Sequence, residues 1–139
     1  MSYKDLNVYQ RVYKVAIDLH LFLLNSKENK IIPQNERRIR HLAREVLGNI
    51  AEGFYQKSQK AKRFFNFKAK DACNKMLLDL EFLQDVKAIP ADEYDHFKNE
   101  YDIAAKQLYK MNQASLDREN QTEDVEETEE VEKTKAVSA

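Results

Sequence analysis

Two glycines, two prolines, one cysteine and no tryptophan are unusually few turn-forming and cross-linking residues for 139 positions. A many-stranded β fold needs glycine or proline at most of its corners, so this scarcity excludes one and leaves long helices with short connections. The single cysteine, Cys73, excludes an internal disulfide and fits a reducing cytoplasm. No uninterrupted apolar run is long enough to cross a bilayer, and no apolar stretch follows a basic start, so neither a membrane span nor a secretion signal is expected. Two glycines cannot build a glycine-rich phosphate loop. There is no His-x-x-x-His or Cys-x-x-Cys spacing for a metal, and His20, His41 and His96 fall in three different helical segments. His96 with Asp92 and Glu100 reads as surface ion pairing, and Cys73 as a small packed side chain. No catalytic residue, cofactor or metal is expected, and the chain reads as a non-enzyme.

What the sequence does hold is charge, unevenly placed. The overall formal charge is −1, but residues 117–139 carry nine acidic and three basic residues. Residues 1–116 are left with twenty basic against fifteen acidic, a net of +5. Within Arg37–Lys75 there are eleven basic residues against Glu45, Glu52 and Asp71. A local positive excess favours a polyanionic partner through counterion release and steering.

That excess centres on NERRIRHLAREVLGNIAEGFY, residues 35–55. At 3.6 residues per turn, Ile39, Ala43, Val46, Ile50 and Phe54 share one face and want a core. Arg37, Arg40, His41 and Arg44 gather opposite, continued by Gly48, Ala51 and Tyr55. Such an arginine face is either a solvated surface laced with ion pairs or a phosphate-binding strip, and the few carboxylates nearby favour the second. Gly48 and Gly53 each cost a helix about 1 kcal/mol against alanine. Close approach of another backbone or a ligand is the expected reason at Gly48, and close approach or a helix end at Gly53. Asn49 and Glu52 are expected to hydrogen-bond locally.

Three further segments show helical spacing. Residues 4–25 repeat Val8, Val12, Val15, Leu19 and Phe22 or Leu23, with a second strip of Tyr9, Tyr13, Ile17 and Leu24. A polar connection, Asn25–Ile32, ends at Pro33, which suits the first turn of the next helix. Ser58 can cap a helix from Gln59 to about Lys87 whose core stripe is Phe65, Ala69, Ala72, Met76, Leu80 and Leu83. After a stop near Ala88–Pro90, a fourth helix buries Tyr94, Phe97, Tyr101, Ala104, Leu108 and Met111 and is expected to end near Ser115. The fold class that follows is all-α: an antiparallel up-down-up-down four-helix bundle over residues 1–116. The acidic remainder, 117–139, reads as a disordered tail that either keeps the protein soluble or competes with nucleic acid for the basic face.

The third helix has a second stripe: Phe64, Phe67, Leu78, Phe82 and Val86, interleaved with Lys68, Asp71 and Lys75. A helix of a four-helix layer needs only one apolar stripe, so this one reads as an oligomer interface. An aromatic–lysine surface for stacking bases is the competing reading.

Three patches, DLNVYQRVYKVA at 5–16, RIRHLAREVLGNIAEGF at 38–54 and KAKRFFNFKAKDA at 60–72, resemble the four-helix-bundle proteins encoded in 23S rRNA intervening sequences. That family looks like D-L-x-V-[YW]-Q, then I-R-R-A-A with N-I-A-E-G, then K-x-F-x-x-F-x-x-A, and the likeness covers residues 4 to about 112. His41 and Leu42 stand where the family usually has Arg and Ala, and Ala72–Cys73–Asn74 replaces its small Gly-Ser pair. The resemblance implies an antiparallel four-helix bundle assembled as a homopentamer, without enzymatic activity. A similar fold serves as the accessory variability determinant of diversity-generating retroelements, which makes a reverse transcriptase an alternative partner. Residues and resemblance together lead to a cytoplasmic, oligomeric protein that binds RNA or DNA without reading sequence. Its phosphate contacts are expected to be Arg37, Arg40, His41, Arg44, Lys57, Lys60, Arg63 and Lys68. A purely structural oligomer, with the arginines paired to carboxylates across subunits, is the rival.

Overall fold

The computed structural model describes the backbone at residues 1–25 and 30–138, and side chains at 1–25 and 30–121. A short 3₁₀ turn, Tyr3–Asp5, leads into α1 (Asn7–Asn25), followed by α2 (Pro33–Tyr55), α3 (Gln59–Asp85) and α4 (Ala91–Ser138). Neighbours in the bundle are α1 and α2, α2 and α3, α3 and α4, and α4 and α1, the arrangement of an up-down-up-down bundle. Part of the expected polar connection falls on residues 26–29, outside those described.

Each boundary has a local cause. Ser2 caps the first turn, its hydroxyl accepting from the Lys4 N–H while Asp5 accepts from the Ser2 N–H. Pro33 occupies the first turn of α2, where a missing N–H costs nothing. The Ser58 hydroxyl accepts from the Ala61 N–H at 3.0 Å and starts α3. No glycine is available to end α3, so Lys87 takes the left-handed conformation, φ 62°, and the Ala88 N–H reaches back to the Leu83 carbonyl at 2.8 Å.

One core lies along the middle of the bundle. Val12, Val15 and Leu19 of α1 meet Ile39, Val46 and Ile50 of α2, Met76 and Leu80 of α3, and Phe97, Tyr101 and Leu108 of α4. Truncating any of the larger ones to alanine removes about 2–5 kcal/mol. The expected stripes hold, with Phe54, Phe65, Tyr94 and Met111 half-buried at their edges. Cys73 is fully buried, and burial pushes its thiol up to about 12, so it stays protonated and inert. Tyr101 beside it is also fully buried, and among the described residues its hydroxyl finds no hydrogen-bond partner.

Two expectations are corrected. Helix α4 does not stop near Ser115, because Ser115 is buried and its hydroxyl donates to Gln59 Oε1 at 2.8 Å, tying the following turn to α3. The first residues assigned to the acidic tail are therefore helical, and side chains from 122 onward lie outside those described. Gly48 is not explained by close approach among the described residues: a Cβ there would meet none of their atoms within 4 Å. Gly53 is, since a Cβ would lie 3.2 Å from Phe65 Cβ and 3.3 Å from Asn66 Oδ1.

The two glycines should separate in chemical denaturation: Gly48→Ala is expected to stabilise the fold by about 0.5–1 kcal/mol, and Gly53→Ala to forfeit that gain. Tyr101→Phe, which deletes a buried hydroxyl without a partner, is expected to raise stability by about 1 kcal/mol in the same measurement.

Candidate nucleic-acid interface

On α2 the buried stripe is wider than the spacing suggests, taking in Leu42, Asn49 and Gly53 toward α3. The outward strip is correspondingly narrower. Arg37, Arg44, Gly48 and Tyr55 lie at its centre and are exposed. Among the described residues, neither Arg37 nor Arg44 makes an ion pair, and seven residues place them two turns, roughly 10 Å, apart. Asn49, at the buried edge, donates to the Glu45 carbonyl at 2.8 Å, the local bond expected of it.

The other expected cations divide. Lys57 and Lys60 are exposed where α2 gives way to α3. Lys68 is exposed one helix over, its Nζ 5.5 Å from the centre of the Phe64 ring. Arg40, by contrast, is half-buried, and its guanidinium donates to Glu36 at 2.9 Å. His41 is exposed with Nε2 3.7 Å from a Glu45 oxygen. Arg63 is the most committed: only 16% of its side chain is exposed, and it donates to Glu119 at 2.5 Å and to the Ser115 hydroxyl at 3.2 Å. A guanidinium so neutralised and covered has little left for a phosphate.

Sequence reasoning missed two members of this surface. Arg38 and Lys75 line the groove between α2 and α3 with His41 and Lys68, around a space of about 440 Å³ that also meets Glu45 and Asp71. Lys75 pairs with Asp71 at 3.1 Å, and Arg38 reaches Asp79 at 2.6 Å while remaining 58% exposed. Their signal was present, since Lys75 lies seven residues after Lys68 and Arg38 three before His41. Lys62, counted in the basic excess, is used elsewhere: its ammonium donates to the Phe54 carbonyl at 2.9 Å at the C-terminal end of α2.

The second stripe of α3 is solvent-exposed in the single chain. Phe64, Phe67, Leu78, Phe82 and Val86 are 56%, 59%, 67%, 59% and 55% exposed, so none belongs to the core. The Asp71–Lys75 pair divides it into a Phe64–Phe67 end beside Lys60 and Lys68 and a Leu78–Phe82–Val86 end beside Glu81 and Asp85. His96 contacts Asp18 of α1, with Nε2 3.0 Å from its carboxylate, rather than the expected Asp92 and Glu100, and Glu100 takes Arg11 at 2.6 Å. Among the described residues, no three His, Cys, Asp or Glu side chains converge as metal ligands. No helix among them is long and apolar enough to cross a membrane.

A family profile described as 23S rRNA-intervening sequence protein matches residues 4–110. A crystal structure of a protein of unknown function from the S23 ribosomal protein family of Bacteroides thetaiotaomicron is similar in fold. The TM-score is 0.69 at 19% identity, over 76% of this chain and 95% of that one. No curated protein matches the chain.

The Arg63–Glu119 contact has a pH signature. The hydrogen bond from Arg63 holds the Glu119 carboxyl below its ordinary value, so the contact is complete above the usual carboxylate range and is lost as pH falls through the lowered value. Amide protection factors over residues 115–121, normalised to the intrinsic exchange rate at each pH, should fall on acidification. Glu119→Gln should show the lower protection already at neutral pH and lose that response.

Proposed function

The chain belongs to the 23S rRNA-intervening sequence protein family, and on that premise we propose that it is a non-enzymatic, oligomeric, cytoplasmic four-helix bundle that binds RNA or DNA through phosphates without reading sequence. The observation that carries this reading is the pair Arg37 and Arg44 on the outward strip of α2, neither of which has an ion-pair partner among the described residues. Lys57, Lys60 and Lys68 extend the same positive surface toward and onto α3, with the exposed rings of Phe64 and Phe67 beside Lys60 and Lys68. Flexible cations beside aromatic faces suit a single strand whose bases stack while its backbone is neutralised. Arg40 and Arg63 are assigned to the fold rather than to the ligand, because each already has a carboxylate.

Oligomerisation makes this modest patch effective. A few cations bind weakly alone, but several copies held in one assembly engage a polyanion together and gain affinity without a new contact. The exposed stripe of α3 supports such an assembly, and the family resemblance sets five as the number of subunits to test.

Binding of a single-stranded RNA or DNA to the purified oligomer should weaken steeply as salt rises. Arg37→Ala with Arg44→Ala is expected to lower the slope of log K against log salt by at least about one, whereas Arg40→Ala and Arg63→Ala leave it nearly unchanged. A flat salt dependence, or no binding at low salt, would instead favour a purely structural oligomer.

A further inference from the structure

Helix α1 carries a strip that the bundle leaves uncovered. Tyr13, Ile17, Leu21 and Leu24 are 51%, 42%, 50% and 71% exposed, on the side away from the buried Val12, Val15 and Leu19. Among the described residues, helix α1 packs on α2 and α4 but not on α3, so α1 and α3 sit at diagonally opposite corners. The molecule therefore presents one apolar strip at each of two diagonal corners.

The two strips match in spacing and in charge. Tyr13, Ile17 and Leu21 form an i, i+4, i+8 ridge, and so do Leu78, Phe82 and Val86, each about 12 Å long. Ridges of this kind interdigitate when two helices pack. The single carboxylate on α1, Asp18, is turned to His96 of α4, and Arg11 is held by Glu100, so among the described residues the charge beside the strip without an ion-pair partner is Lys14. Beside the α3 ridge, Asp79 is held by Arg38, and Glu81 and Asp85 are exposed. The amino-terminal half of α3, with Lys60 and Lys68, would repel Lys14, whereas the carboxyl-terminal half attracts it.

We propose that the Leu78–Phe82–Val86 ridge of one copy docks on the Tyr13–Ile17–Leu21 strip of a second copy, with Lys14 facing Glu81 and Asp85. The contact is heterologous: each copy offers α3 to one neighbour and α1 to another. It covers both strips with a single kind of interface and leaves Phe64, Phe67, Lys60 and Lys68 open. The inference rests on the oligomer of the proposed function and names its two surfaces, and it is read by mass in the absence of nucleic acid.

The experiment is complementation between two variants, measured by sedimentation equilibrium. Leu78→Asp with Phe82→Asp breaks the α3 surface, and Ile17→Asp with Leu21→Asp breaks the α1 surface. All four positions are exposed, so both variants should keep the wild-type helical spectrum and melting transition. Each variant alone is expected to be monomeric, and an equimolar mixture to form a one-to-one complex through its one intact interface. A monomeric wild type, either variant keeping the wild-type mass, or a mixture that stays monomeric overturns the proposal. Should either variant lose its melting transition, Lys14→Glu replaces it. Loss of assembly by that change, restored by Glu81→Lys with Asp85→Lys in the same chain, supports the contact, and no loss or no restoration overturns it.

Discussion

In a layer of four helices each member can bury one stripe, and here everything hangs on the stripe of α3. It packs against both α2 and α4, and Ala69, Ala72 and Cys73 keep its buried face small where the neighbours approach. Gly53 lets the end of α2 come within contact of Phe65 and Asn66. Once that face is turned inward, Phe64, Phe67, Leu78, Phe82 and Val86 must point outward, since the same helix cannot hide both sides. The exposed apolar stripe is thus a consequence of the core rather than an independent feature, and so is the basic strip of α2, turned to solvent by Ile39, Val46 and Ile50.

The architecture was legible because helical periodicity is a strong signal over segments this long. Pro33 and Ser58 begin helices where they were expected to, and the exposed side of α3 was recognisable from its second stripe alone. The arginines were read less well, and the reason is positional. Glu36 lies one residue before the window Arg37–Lys75 and Asp79 four after it, and these hold Arg40 and Arg38. Glu119, which holds Arg63, lies in the acidic segment beyond residue 116. Arg38–Asp79 and Arg63–Glu119 join residues 41 and 56 positions apart, and no local window sees them.

The acidic segment is accordingly not a uniform appendage. Its first turn continues α4 and contributes to a polar cluster in which Arg63 binds both Ser115 and Glu119, and the Asn112 amide donates to the Arg63 carbonyl at 3.1 Å. One arginine that composition assigns to a polyanion is here answered by the protein's own carboxylate. Among the described residues, the expected phosphate contacts left without an ion-pair partner are fewer than composition suggests: Arg37 and Arg44 on α2, with Lys57 and Lys60 at the turn and Lys68 on α3. That residue of charge separates surface that builds the fold from surface free to act.

The square order of the helices also bears on how the chain reaches its structure. Three of its four helix pairings join elements adjacent in sequence, and the connections at 56–58 and 86–90 are only a few residues long. Such contacts form with little loop-closure entropy, so collapse of α2, α3 and α4 should be fast. The pairing of α1 with α4 alone requires distant parts of the chain to meet, and it is clasped by Arg11–Glu100 and Asp18–His96. Helix α1 is therefore the natural last arrival, and these two side-chain contacts act as a latch on a bundle whose other three helices have already assembled.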